Sequence, residues 1–186
     1  MTDKQNRELT TLEYTILGLL GMQPQTGYTI LNTFESGAYR WSASAGSIYP
    51  VLKRLEKQRI VTSQLEVVHE ARPRKVYTLL PAGEQLLDDW LRQPPTLHDV
   101  IENYDIALYK FVFAESRLSR AEILVWLDVY ESITRSSDAM QRVMNDTSRQ
   151  TGALSLHQEL VAESIALETK ARLAWIELAR QRLTSE

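Results

Sequence analysis

Lys53, Arg54 and Lys57 lie within one turn or so of each other at the end of the segment Gly46-Ser47-Ile48-Tyr49-Pro50-Val51-Leu52-Lys53-Arg54-Leu55-Glu56. About twenty residues later Arg72, Arg74 and Lys75 crowd into Arg72-Pro73-Arg74-Lys75-Val76-Tyr77-Thr78-Leu79. Ammonium and guanidinium groups at such density suit phosphate oxygens, which they hold by charge-assisted hydrogen bonds and by displacing counterions from a polyanion. Ser44, Ser47 and Tyr49, at the leading end of the first segment, add hydroxyls able to donate to or accept from a phosphate or a base edge. The simpler readings are a solvated face for Lys53, Arg54 and Lys57 and a soluble tip for Arg72, Arg74 and Lys75. Tyr49 and Tyr77 fit a contact or the core equally. Pro50 has no amide donor and is expected to shape the start of its helix rather than touch a base.

Charge as a whole argues the other way, because the 186-residue chain carries −3. Its distribution reverses that: between Ala38 and Thr78 there are 8 Lys and Arg against 3 Asp and Glu, net +5, while residues 96–186 hold 10 against 14, net −4. Attraction to phosphate acts within a Debye length, about 8–10 Å at ordinary salt, so a local patch outweighs a distant acidic remainder.

Other chemistries lack their residues. His69, His98 and His157 have no partner at metal-ligand spacing, and there is no cysteine, so neither a thiolate metal site nor a disulfide framework is available. No carboxylate pair stands isolated on an apolar face as a general acid and base would require, and no serine has a nucleophile-elbow setting. The chain is expected to be no enzyme, with no metal and no cofactor. No run of about eighteen apolar residues and no signal-peptide core is present, so the expected place is the cytoplasm, away from membranes.

The elements that must position the basic residues follow from periodicity. Thr10-x-x-Glu13 is a capping box, and Leu12, Ile16, Leu17, Leu19 and Leu20 continue at helical spacing to Gly21. Thr26-Gly27 opens a second helix with Tyr28, Ile30, Leu31 and Phe34 as its apolar positions, ending at Ser36-Gly37. Ser44 caps a third, in which Ile48, Leu52 and Leu55 form one stripe. The runs Ile60–Val68 and Lys75–Leu80 flank the polar turn Glu70–Arg74 and predict a β-hairpin. A fourth helix begins at Pro81-Ala82-Gly83 with Leu86, Leu87, Trp90 and Leu91 inward. Three short helices followed by a hairpin make a winged helix-turn-helix, whose partner is double-stranded DNA.

The order Leu17-Gly18-Leu19-Leu20, Thr26-Gly27-Tyr28, Gly46-Ser47-Ile48-Tyr49-Pro50-x-Leu52-x-x-Leu55, Arg72-x-Arg74-Lys75-Val76-Tyr77 and Pro81-Ala82-Gly83 resembles the PadR family of bacterial transcriptional regulators over residues 10–92. The remainder is similar, in length and pattern, to the long C-terminal helical domain of that family's virulence-regulator-like branch. Two positions depart from it: Arg59 stands where the family often has Gly, and Leu80 where Thr is common.

Gln93-Pro94-Pro95-Thr96 divides the chain into a DNA-binding domain over 1–93 and a helical domain over 97–186. The second half predicts one amphipathic segment from Leu97 to Ala114. Two long helices then open at the capping boxes Ser119-x-x-Glu122 and Ser155-x-x-Gln158. Helices of about 28 residues, each about 40 Å long, carry more apolar surface than one small domain covers, and a second copy is the simplest partner. The expected dimer contacts are Ile123, Tyr130, Ile133, Met140, Leu160, Leu167, Trp175 and Leu178. Such a dimer presents its reading helices one duplex turn apart and reads a pseudo-palindrome. The resemblance implies the same arrangement and a response to a small aromatic effector; the expected action is repression by occupying a promoter palindrome. The candidate ligand pocket is Trp90, Tyr104, Trp126, Tyr130 and Trp175, all of which also fit plain core roles. The rival function is an interaction adaptor that keeps the winged fold and binds no specific duplex.

Overall fold

The computed structural model describes residues 8–36, 43–67 and 73–185. Its elements run α1 (Thr11–Met22), β1 (Gln25–Thr26), α2 (Gly27–Glu35), α3 (Ala45–Lys57), β2 (Val61–Glu66), β3 (Arg74–Leu79), α4 (Pro81–Arg92), α5 (Leu97–Ile101), α6 (Tyr104–Ala114), α7 (Arg120–Gln150) and α8 (Leu156–Ser185). The fold is mostly helical with one small antiparallel sheet of order β1-β3-β2. Two compact units are formed, Met1–Gln93 with Asp105–Leu118 and Pro94–Tyr104 with Ser119–Glu186.

In the first unit each helix starts where the chain supplies a cap. Thr10 and Glu13 complete the capping box of α1, Thr26 accepts from the amide of Thr29 at α2, and Pro81 occupies the first turn of α4. The fully buried side chains Ile16, Leu17, Ile30, Ile48, Leu52, Leu55, Leu87 and Leu91 bring α1 to α4 onto a common core. α3 ends in a Schellman motif: Ile60 N–H reaches Leu55 C=O at 3.0 Å and Arg59 N–H reaches Glu56 C=O at 3.1 Å. That motif places Arg59 at φ 56°, in the left-handed region, which is the physical reason a glycine suits this position. The hairpin β2–β3 follows at once, in register from Val61↔Leu79 to Glu66↔Arg74.

Three local expectations change. β1 is a third strand of two residues, paired to β3 through Gln25↔Tyr77 and Thr26↔Val76, too short and polar to leave a periodic signal. Tyr28, expected on the apolar side of α2, is 66% exposed. Pro50 is interior to α3, the sixth residue of the helix rather than part of its first turn. A proline there removes a helical hydrogen bond and costs about 3 kcal/mol relative to alanine.

α6 joins the first unit: Tyr109 and Phe113 are buried in its core, and beyond the helix end Arg117 pairs with Asp88 at 2.8 Å and with Glu84. The sequence boundary instead assigns everything after residue 97 to the second domain. The single helix expected from Leu97 to Ala114 is broken at Glu102-Asn103. There Asn103 N–H turns back to His98 C=O at 3.1 Å and its side chain meets the His98 ring at 2.7 Å.

In the second unit α7 begins with the capping box of Ser119 and Glu122 and ends in a Schellman motif with Gly152 at φ 64°. α8 packs along α7 through Ala162 and Ile176, with Arg180 bonded to Asp128 at 2.9 Å and to Glu131 at 2.6 Å. Of the expected dimer contacts, Ile123 and Tyr130 are consumed here, at 7% and 0% exposure. The correction has a simple cause: the leading half of the α7 stripe is covered by the chain's own α5 and α8. Ile133 and Trp175 are half-buried, whereas Met140, Leu160, Leu167 and Leu178 remain exposed.

Candidate nucleic-acid interface

α3 buries Ile48, Val51, Leu52 and Leu55. At 100° per residue the opposite ridge is Gly46, Pro50, Lys53 and Lys57, all exposed, with Ser47 and Arg54 on one flank and Tyr49 and Glu56 on the other. The two flanks have different neighbours, and those decide what each side chain can do.

On the first flank Arg54 donates from Nε to Oε1 of Glu13 at 2.7 Å. Glu13 is completely buried and also accepts the backbone N–H and the hydroxyl of Thr10, at 2.7 and 2.9 Å. Burial pushes this carboxyl up, but the Thr10 amide and the Arg54 guanidinium outweigh it and hold the pKa below the ordinary 4.5. Arg54, expected to grip a phosphate backbone, thus has a structural role through its Nε, compensating a buried negative charge and fixing α3 to α1, while its side chain stays 40% exposed. Lys53, one residue earlier, stands on the open ridge.

On the second flank the Tyr49 ring rests on Gly27. A Cβ at that glycine would fall 2.6 Å from Tyr49 Cε1, so only glycine admits this approach. Tyr49 remains 46% exposed and thus serves packing and surface together. Glu56 accepts the hydroxyl of Ser63 on β2 and lies 3.2 Å from Lys75 Nζ on β3, which ties the hairpin to α3. The Ser63 hydroxyl is the largest of the causes that hold the Glu56 carboxyl below its usual range. Arg74 meets Glu66 at 3.4 Å with both side chains more than half exposed, a pairing too wet to hold Arg74 from a stronger partner. Ser44 caps α3 without a side-chain bond to a helix amide; its hydroxyl is hydrogen-bonded to that of Ser47 at 3.2 Å, and both residues are exposed. Ser44, Ser47, Tyr49, Lys53, Arg74 and Lys75 thus stand exposed, or partly so, on α3 and the adjoining hairpin. Arg72 lies outside the described residues.

Sequence reasoning missed two residues here. The capping-box spacing accounts for the bond between Glu13 and Thr10, but no one-dimensional signal points to a partner 41 residues away. Glu56 reads as an ordinary solvated carboxylate until the hairpin folds back upon it.

The aromatic candidates separate. Trp90 belongs to the first unit, stacked on Tyr14 at 4.8 Å with the buried Lys110 ammonium 5.0 Å from its ring. The other four are in the second unit. Trp126 stacks on Tyr130 at 5.2 Å, Trp175 meets Tyr130 edge-on at 6.3 Å, and Arg172 lies 4.3 Å over Tyr104 while donating to the Val100 carbonyl at 2.8 Å. The Tyr130 hydroxyl is buried with no hydrogen-bond partner among the described residues, and burial drives its pKa far upward. Among the described residues no group of His, Cys, Asp and Glu could hold a metal ion, and no helix is long and apolar enough to cross a membrane.

Residues 16–89 match the model of the transcriptional regulator PadR-like family. The negative transcriptional regulator PadR of Bacillus subtilis is 34% identical over 118 residues, which cover 62% of this chain; the chain spans 64% of that relative's length. A probable transcriptional regulator of Mycobacterium tuberculosis is 27% identical over 184 residues, 89% of this chain and 94% of its own. Among solved structures, Bacillus subtilis PadR in complex with operator DNA matches with a TM-score of 0.46 at 26% identity, over 94% of this chain and 99% of that one. The same protein in complex with p-coumaric acid gives 0.41 at 26% identity over the same shares. In residues 16–89, which hold the three-helix core and the hairpin, the chain is thus similar to the transcriptional regulator PadR-like family.

Proposed function

We propose that the protein is a homodimeric transcriptional repressor that occupies a palindromic promoter site. The observation that carries this reading is the exposed cationic edge formed by Lys53 and Lys57 on α3 and by Arg74 and Lys75 on the hairpin, which Glu56 and Ser63 fasten to that helix. Phosphates replace Glu66 and Glu56 as partners of Arg74 and Lys75 when the wing meets the duplex, since exposed ion pairs contribute only about 0–1 kcal/mol. Repression accords with the negative regulator that Bacillus subtilis contributes among the relatives.

Dimerisation is supported by the second unit. α8 has two apolar faces: one, with Ala162 and Ile176, lies on α7, and the other runs Leu160, Leu167, Ala171, Ala174 and Leu178 at spacings of three, four and seven, all exposed. Met140 and Met144 of α7 are also exposed. A second copy covers these faces and sets the two reading helices about 34 Å apart. The candidate effector site is the cluster of Tyr104, Trp126, Tyr130 and Trp175, where the buried Tyr130 hydroxyl would meet a polar ligand atom. Such an effector releases DNA only by binding one dimer geometry better than the other. The site of action is the cytoplasm, where bacterial promoters are.

Titration against the duplex upstream of its own gene at several salt concentrations tests the reading. Binding weakens steeply with salt, and Lys53→Ala or Arg74→Ala each lowers the slope by about one. Salt-independent binding, or variants that bind as the parent does, contradicts it.

A further inference from the structure

We infer that the leading half of α3 reads thymine, through the methyl group in the major groove, and that Pro50 is a specificity-determining residue for this contact. The inference rests on the DNA-binding reading above and adds what the helix can recognise.

The side chains that discriminate base pairs by paired hydrogen bonds are few: Arg and Lys for guanine, Asn and Gln for adenine, Asp and Glu for cytosine. From Ala43 to Leu52 the sequence is Ala-Ser-Ala-Gly-Ser-Ile-Tyr-Pro-Val-Leu, which contains none of them. The cations begin only at Lys53, a turn or more along the helix. What the exposed surface of this half offers is the C–H groups of Ala45 and Pro50, the edge of the Tyr49 ring and the hydroxyls of Ser44 and Ser47. Hydroxyls accept and donate indifferently and distinguish bases poorly, whereas apolar C–H surface has one partner in the major groove, the thymine methyl. Gly46 lies on the same ridge one turn before Pro50 and has no side chain, so the helix can lie close against the base edges.

Among the described residues Pro50 also has no packing reason to be where it is. It is exposed, it is interior to a helix, and it withholds from the Gly46 carbonyl the amide that any other residue would supply. A residue so unfavourable for the helix, on the side away from the core, is explained by what it touches outside the chain. Local rules of folding are broken most often at functional sites. The proline ring gives a rigid apolar knob with no rotamer to freeze and no polar atom to desolvate against a methyl group.

The test begins with duplexes selected from a random pool by the full-length protein. In the selected site each thymine is replaced in turn by deoxyuridine, which keeps base pairing and removes only the methyl. At one or more positions in each half-site deoxyuridine weakens binding about fourfold, the loss expected for one buried methyl, and the salt slope stays as it was. In Pro50→Ala, which restores the amide and folds at least as well, the thymine-to-deoxyuridine ratio falls toward one at the position under residue 50. Deoxyuridine duplexes that all bind within twofold of the parent overturn the inference while leaving DNA binding intact, and so does a penalty that Pro50→Ala does not reduce. Failure to select any duplex, with no salt-sensitive binding, overturns both readings.

Discussion

Replacing Arg54 by alanine separates a structural arginine from a DNA-contacting one. The guanidinium is bonded to a carboxylate of 0% exposure, Glu13 Oε1 at 2.7 Å, so Arg54→Ala takes a charge-assisted hydrogen bond from a buried charge. Losing one partner of a fully buried pair costs about 3–5 kcal/mol and a charge-assisted hydrogen bond about 1.5–3 kcal/mol. Two features place this case in the lower range: the Arg54 side chain is 40% exposed, which admits water, and Glu13 keeps both donors of Thr10. A loss of about 2 kcal/mol is expected at pH 7, seen in urea as a midpoint lowered by about 1 M at an unchanged slope. The pH dependence follows from Glu13. Its folded pKa lies below the unfolded 4.5, so its stabilisation is complete above about pH 4.5 and disappears as pH falls through the lowered value. In the variant burial acts with less opposition and the carboxyl moves up. Protonation then removes the buried charge, and the gap between parent and variant narrows in acid. Equal midpoints at pH 7, or a gap that persists undiminished below pH 4, refutes the assignment.

Other perturbations probe the second unit and the end of α3. Tyr130→Phe removes a buried hydroxyl that has no partner among the described residues and raises stability by about 1 kcal/mol, read by thermal melting without ligand. A lower melting temperature contradicts the description of that site. Leu167→Glu introduces charge on the exposed apolar stripe of α8, where Leu167 is 63% exposed in the single chain. It leaves the helix content of the protomer unchanged and turns dimer into monomer in sedimentation, whereas an unaltered sedimentation coefficient removes that stripe from the interface. Arg59→Gly relieves a left-handed residue at φ 56° and raises the urea stability of the first unit by about 0.5–1 kcal/mol, the relief being partly offset by the freedom glycine gains when unfolded.

The first unit is legible in one dimension because its determinants are local. Caps at Thr10, Thr26 and Ser119, Pro81 in a first turn, and apolar stripes through Ile16, Ile48 and Leu87 act within a few residues of where they stand. What escapes are long-range pairings. Glu13 finds Arg54, Glu56 finds Ser63 and Lys75, and Arg117 finds Glu84 and Asp88 only after the chain has folded. The last of these moves α6 to the first unit, against a boundary drawn from paired prolines. The helical stripe of α7 is legible but its destination is not: periodicity names the apolar face through Ile123 and Tyr130 without saying whether the chain itself or a second copy covers it. Trp90 parts from the other aromatics for the same reason, since composition cannot tell a ring stacked on Tyr14 from one in the cluster around Tyr130.

The cationic edge of α3 and its hairpin is proposed to hold DNA phosphates. The most direct measurement of this is the salt dependence of binding to a selected duplex by the parent, Lys53→Ala, Arg74→Ala and the double variant. The logarithmic slope decreases by about one for each cation removed and by about two for the pair, with the urea midpoints unchanged. Slopes that coincide in all four proteins contradict the claim.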